Sequence, residues 1–247
     1  MKAWELLGES SAPDGTAIQL RRRDDEYLIA ADGKPLMSSR VHGSEEALAT
    51  LGCGRARALP RPRVLVGGLG MGFTLRAVLD VLPLGAEVIV AELVPAVVAW
   101  NRAFLSSLAG HPLQDPRVRI RTEDVRNTLR ANAARFDAVL LDTDNGPAAF
   151  TTADNAGLYD DPGVAAAFAA LAPDGTLAVW SASGDRTFEQ RLRSHGFAVE
   201  LAKVRARLHK GGTRQTIFVA HKRPSGPSLR GTLPRRDRGT RDSPRDR

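Results

Sequence analysis

From Arg63 onward the chain alternates two textures. The short β-branched runs RVLVGG, EVIVAE, VRIR, FDAVLLD and GTLAVWSA read as buried strands. Each is followed by an Ala/Leu/Arg segment of helical period: FTLRAVLDVL, PAVVAWNRAFLSSL, DVRNTLRANAA, GVAAAFAALA and RTFEQRLRSHG. Five strand-helix units in succession predict a parallel sheet covered by helices on both faces. FAVELAKVRARL and TRQTIFVAHK then flank an HKGG turn and predict an antiparallel hairpin closing the sheet at its edge. Ahead of Arg63, the runs AIQLR and EYLIA with the turn sequences APDG and ADGK suit a small antiparallel unit. From Pro224 the chain has almost no apolar residue and cannot offset its ordering entropy, so a disordered tail is expected. The expected layout is a small β-rich region over 1–60, a mostly parallel α/β Rossmann-type domain over 61–222 and a tail over 223–247.

Composition changes this picture only in where the charge lies. The 247 residues carry 35 Lys/Arg against 28 Asp/Glu, a net +7 that by itself suggests a polyanionic partner. Lys222 to Arg247 hold nine basic and three acidic residues, which leaves 26 against 25 for residues 1–221. The body is therefore nearly neutral, and nucleic-acid binding is expected only as a weak, salt-sensitive property of the tail. The single cysteine, Cys53, cannot form an internal disulfide or a Cys-rich metal site, which suits a reducing, cytoplasmic compartment and no bound metal. The longest apolar stretch, GVAAAFAALA, is far short of the roughly 20 residues that span a bilayer, so no membrane span is expected.

Candidate chemistry gathers at the ends of the expected strands. Gly68, Gly70 and Gly72 lie between the first strand and the first helix, where glycines allow a tight turn and a close backbone approach to a ligand. Both dinucleotides and adenosyl-sulfonium compounds use such a turn, but the third position of the dinucleotide pattern is Phe73. Glu92 ends the second strand, placed either to accept ribose hydroxyls or to favour the following helix N-terminus. Asp124 follows the third strand and reads equally as an acceptor for an adenine amino group or as a helix cap. All fall at the C-terminal strand ends, where open α/β sheets bind ligands.

The fourth strand runs straight into Asp142, Asp144, Asn145, Gly146 and Pro147, a polar cluster facing the same cleft. A sulfonium donor is already activated, so catalysis reduces to positioning and to delivering a neutral nucleophile. An amine of pKa about 10.4 arrives protonated, and carboxylates both attract it and take its proton as attack proceeds. Asp142 and Asp144 are the catalytic candidates; the other reading is an Asx-rich turn. Asp154, Asn155 and Tyr159 are candidates for the acceptor side or for a surface loop. Trp180, at the end of the fifth strand, is read as packing, and His111, His195 and His209 as surface or capping residues.

Taken together, VLVGGLGMGFTLR, VIVAELVPAVVAWNR, DPRVRIRTEDV and FDAVLLDTDNGPAAF with AGLYDD resemble the catalytic domain of the spermidine synthase (polyamine aminopropyltransferase) family, a variation on the class I methyltransferase fold. The resemblance covers roughly residues 60–221, and the preceding region resembles a shortened form of that family's N-terminal β-domain. It implies decarboxylated S-adenosylmethionine or S-adenosylmethionine as donor, with Glu92 on the ribose and Asp124, with Val125 beside it, at the adenine. It also implies Asp142 as the base for the attacking amine, Asn145 and Tyr159 on the substrate side, and a homodimer.

Three departures bear on the donor and the acceptor. The family's glycine loop usually carries an Asp that meets the donor's aminopropyl ammonium, whereas GGLGMG offers Leu69 and Met71. Its fourth-strand motif normally has a second Asp three residues after the first; here Asn145 stands there and Asp144 comes one residue earlier. In place of a Tyr-His-Glu acceptor motif the chain has His42, Glu45 and Glu46 in similar surroundings. The expected activity is aminopropyl transfer to a small amine in polyamine biosynthesis. The alternatives are an S-adenosylmethionine-dependent methyltransferase, an NAD-type oxidoreductase and a non-enzymatic nucleotide-binding protein.

Overall fold

A computed structural model describes residues 2–143, 156–205 and 214–223. Asp144, Asn145, Asp154, Asn155, His209 and the basic tail from 224 lie outside the described residues.

The chain opens with a four-stranded antiparallel sheet in sequential order: β1 (Glu5–Ser11), β2 (Ala17–Arg23), β3 (Glu26–Ala31) and β4 (Lys34–Ser38). The expected strands are β2, with the alternation of a half-buried sheet, and β3, and two further strands flank them. Those two escape a pattern reading because β1 is polar and interrupted by a register shift at Leu6/Gly8, and β4 contains Pro35. The turn into β4 uses Asp32 and Gly33 with positive φ, the backbone that an ADGK sequence favours in a tight hairpin.

Helix α1 (Gly43–Gly52) leaves this sheet and packs on the larger one. At its end, a Cβ on Gly52 would come within 2.9 Å of the Ala178 Cβ and 3.0 Å of Leu140, so only glycine lets the helix lie this close to the strands. Cys53 caps α1 in the core, where burial pushes its thiol up to about 12.

The large sheet is built from β5 (Arg63–Gly67), β6 (Glu87–Glu92), β7 (Val118–Thr122), β8 (Phe136–Leu141), β9 (Leu171–Ser181), β10 (Phe197–Arg205) and β11 (Arg214–Lys222). Its order is β10-β11-β9-β8-β5-β6-β7, with β5 to β9 parallel and β11 antiparallel to both neighbours. The intervening helices are α2 (Phe73–Val81), α3 (Pro95–Trp100), α4 (Val125–Arg130), α5 (Ala156–Tyr159), α6 (Asp161–Ala170) and α7 (Arg186–Ser194). Two apolar clusters fill the two faces of the sheet, as continuous runs such as Val64–Val66 and Ala138–Leu141 require. The expected hairpin is present at the sheet edge, with β11 paired between β9 and β10. The β11 run from Gln215 to Ala220 is buried throughout, whereas β10 is exposed at Glu200, Leu201, Lys203 and Arg205 and so takes the edge.

The helical segment predicted after β6 is α-helical only to Trp100. It continues as a π turn over Asn101–Leu105 and a 3₁₀ turn over Ser106–Ala109. π turns inside helices often mark functional sites, and the inserted register brings Asn101 back onto the glycine turn.

Candidate active site

The ends of β5, β6 and β8 open into a cavity of about 740 Å³, within the range of small-molecule sites. Its floor is the C-terminal edge of the parallel strands, at the point where strand order reverses about β5. The antiparallel N-terminal sheet walls it from the other side with Ile18, Ile29 and Met37.

Gly68, Gly70 and Gly72 all have positive φ, at 89°, 52° and 85°. Gly68 and Gly70 line the cavity, and Gly72 sits at the N-cap of α2. The loop is held from three sides. Gly68 N donates to Ala91 O of β6 at 2.9 Å, and Leu69 N donates to Glu92 Oε2 at 2.8 Å. Asn101 Nδ2 donates to Gly70 O at 2.7 Å and to Val97 O at 2.9 Å. Sequence reasoning missed Asn101; the available signal is a lone amide within the apolar run PAVVAWNRAFL.

Glu92 is buried, and its second carboxylate oxygen accepts from Val94 N at 2.8 Å. One side chain thus ties the glycine loop to the β6 end, while its carboxylate lines the cavity. Asp124 meets both of its expected descriptions. It caps α4 by accepting from Arg126 N at 2.8 Å, and together with Val125 it lines the cavity. Burial tends to raise its pKa, but the Arg126 guanidinium and backbone N–H outweigh that and hold the carboxyl below its ordinary value.

Asp142 stands at the end of β8, its N–H donating to Gly67 O at 2.9 Å and its carboxylate accepting from Thr74 Oγ1 in the first turn of α2. Tyr159 is not on the cavity wall. It packs in the core against Phe188, and its hydroxyl lies 2.7 Å from Thr143 Oγ1, so it reaches the cavity through Thr143, which does line it. Trp180 both packs and lines the cavity, with a buried indole Nε1 that has no hydrogen-bond partner among the described residues.

The acidic segment on α1 divides. His42 stacks on Phe73 at 4.4 Å between ring centroids and pairs with Glu46 at 3.0 Å, and neither lines the cavity. Glu45 does line it, although the residue is only 7% exposed, and its Oε2 accepts from Ser44 Oγ at 2.7 Å. Burial and the nearby Asp142 carboxylate raise its pKa from 4.5 to about 7, against the opposing pull of the Ser44 hydrogen bond.

This shift has a consequence for stability. An acid whose folded pKa exceeds its unfolded one holds its proton more tightly in the folded chain. Its contribution is therefore complete below about pH 4.5 and is lost as pH rises to about 7. Denaturation midpoints of the ligand-free protein should fall across that window, by on the order of 3 kcal/mol at most. Glu45→Gln, which stays neutral, should flatten this segment of the profile.

Among the described residues no group of three metal-ligating side chains comes together, and no helix is long and apolar enough to cross a membrane.

Known proteins resemble this architecture. The spermine/spermidine synthase domain model matches residues 44–204. A spermidine synthase in complex with the transition-state analogue AdoDATO superposes with a TM-score of 0.67 at 20% identity, over 88% of this chain and 72% of that one. Spermidine synthase from Thermotoga maritima gives 0.68 at 20% identity over the same shares, and a probable spermidine synthase from Corynebacterium glutamicum gives 0.60 at 20% identity, over 87% and 79%. No curated protein sequence matches significantly. The structural matches, at this identity, speak to the fold: a methyltransferase-like parallel sheet with a separate small antiparallel sheet before it. The family match covers the cavity's floor and its α1 wall, and it places the chain in the spermine/spermidine synthase family of transferases.

Proposed function

We propose that this chain transfers the aminopropyl group of decarboxylated S-adenosylmethionine to a small primary amine. The observation that carries this reading is the charge of the cavity beside Asp142. Glu45 and Asp142 line it together, whereas the basic lining residues are Lys34, on the N-terminal sheet, and Arg126, which is bonded to Asp124. An amino-acid carboxylate on the donor would meet two acids here, while a decarboxylated donor brings an ammonium that both attract. The similar structure that holds AdoDATO is consistent with such a donor.

In this reading Glu92 accepts the ribose hydroxyls and Asp124 the adenine amino group, with Val125 against the base. The glycine turn lets the backbone come close to the donor's sulfur end. Asp142 orients the acceptor amine and takes its proton as the nitrogen attacks the carbon bound to sulfur. The new C–N bond forms as the C–S bond breaks, and the electron pair stays on sulfur in neutral 5′-methylthioadenosine. Asp144 and Asn145, which follow Asp142 in the chain, are assigned to the same acceptor side, and Tyr159 acts through Thr143.

A methyl donor is favoured by one observation. Leu69 and Met71, which stand in the glycine turn where the family usually has an acid, are both buried. Incubation with each donor and a mixture of diamines, read by mass spectrometry, separates the two. The aminopropyl mass is expected with the decarboxylated donor, together with 5′-methylthioadenosine. A methyl adduct from S-adenosylmethionine, or no product from either, would reject the proposal.

A further inference from the structure

Glu45 is more than nine-tenths buried, yet it lines the cavity, 97 positions before Asp142 in the chain. Each of the two carboxyls is oriented by a hydroxyl on one oxygen, Ser44 for Glu45 and Thr74 for Asp142. Trp180 lines the same cavity. The glycine turn contributes only backbone at this end, because Leu69 and Met71 point into the core.

We propose that Glu45 is a specificity residue of this site: with Asp142 it forms a two-carboxyl subsite that binds the primary ammonium of a substrate. The proposal rests on the aminopropyl-transfer reading for the identity of that substrate. It moves the recognition of positive charge from the glycine turn to α1.

Burial is the larger cause of the raised Glu45 pKa, and repulsion from Asp142 adds to it. Two carboxylates in a sheltered cavity cannot both stay ionised without cost, so in the empty site one of them takes up a proton near neutrality. An ammonium lying against both removes that penalty and restores both charges. The charged groups acting on Glu45 are Asp142 from the end of β8 and Glu46 on its own helix, and both favour the protonated form. β9 and β11 line the same cavity with uncharged Trp180 and Gln215, and α2 contributes Thr74 through Asp142. Binding of an ammonium therefore displaces a proton from Glu45, and an uncharged ligand does not.

Titration calorimetry of the full chain at pH 7, in two buffers of different ionisation enthalpy, measures this release directly. The probes are 1,4-diaminobutane, decarboxylated S-adenosylmethionine and, as the ligand without an ammonium, 5′-methylthioadenosine. A measurable fraction of a proton per site should be released with an ammonium-bearing probe, since Glu45 titrates near the working pH. Release with the decarboxylated donor assigns the subsite to the donor's aminopropyl end, and release with the diamine assigns it to the acceptor. In Glu45→Gln the release should vanish and the same probe should bind about tenfold more weakly or worse, with 5′-methylthioadenosine unchanged.

The wild-type measurement stands whether or not the variant folds. No proton release with either ammonium probe, or unchanged release and affinity in Glu45→Gln, overturns the proposal. Transfer activity with no such release would leave the aminopropyltransferase reading intact while removing the subsite. Release without any transfer product would do the reverse.

Discussion

Asp142→Asn is expected to lower kcat by about 10²–10⁴-fold while leaving the affinity for 5′-methylthioadenosine within a few-fold of wild type. The substitution keeps the shape of the side chain, and an amide oxygen can still accept from Thr74 Oγ1, so the contact between β8 and α2 survives. In the proposed mechanism it removes the negative charge that draws the ammonium in and the acceptor for the amine's proton. 5′-Methylthioadenosine carries no ammonium and, in the proposed reading, lies at the Glu92 and Asp124 end of the cavity, so its binding reports on the rest of the site. Single-turnover rates with prebound donor should show the loss in the transfer step. Full activity in Asp142→Asn would remove it from the chemistry and leave it as a lining residue only. Because Asp142 helps keep Glu45 protonated, the same variant should also bring the Glu45 titration down in pH.

The parallel part of the sheet was legible because its strands are buried on both faces and therefore read as unbroken β-branched runs. Val64–Val66, Val88–Val90 and Ala138–Leu141 have no polar position to disguise them. Position at a strand end was enough to bring Gly68, Glu92, Asp124 and Asp142 to one cavity, since parallel strands carry all their C-terminal ends to one edge. The inserted position of β11 was harder to see, because a hairpin has the same connectivity whether its second strand lies inside or outside. The continuous apolar run TIFVA in β11 against the alternation of β10 was the distinguishing signal.

What escaped the sequence depends on contacts between distant segments. Glu45 and Glu46 are neighbours in the chain, but successive residues on a helix point about 100° apart. Only the way α1 rests on β8 and β9 decides that Glu45 enters the cavity and Glu46 pairs with His42. Asn101 depends likewise on the π turn after Trp100, which shifts the helix register and which no apolar periodicity announces. For Asp124 the two readings were not rivals: capping uses Oδ1 and the Arg126 contact uses Oδ2, and the same carboxylate still lines the cavity.

Gly68→Ala should disrupt fold and site together. Gly68 has φ of 89°, where a non-glycine residue is strained by about 1–3 kcal/mol. The added Cβ would also fall 2.5 Å from the Asp142 carbonyl oxygen, a backbone atom that cannot rotate away. Either β8's end must move or the glycine turn must. If the turn moves, Leu69 N leaves Glu92 and the Gly70 carbonyl leaves Asn101, since both bonds depend on the present loop path. If β8 moves, Asp142 loses its hydrogen bond to Gly67 and its place beside Thr74. Both routes damage the donor end and the reacting end together, so the variant should lose donor affinity and kcat alike, unlike Asp142→Asn, which spares the nucleoside. Its melting temperature should fall by about 4–10 °C, as a cost of a few kcal/mol implies for a chain of this size. Gly196→Ala serves as the comparison: its φ of 94° carries the backbone strain, but its Cβ would make only ordinary contact, 3.5 Å from Phe168, and neither it nor its chain neighbours line the cavity. A similar loss of activity in both variants would assign the effect of Gly68→Ala to backbone strain and general destabilisation. Loss confined to Gly68→Ala would assign it to the close packing of the glycine turn on the Asp142 backbone.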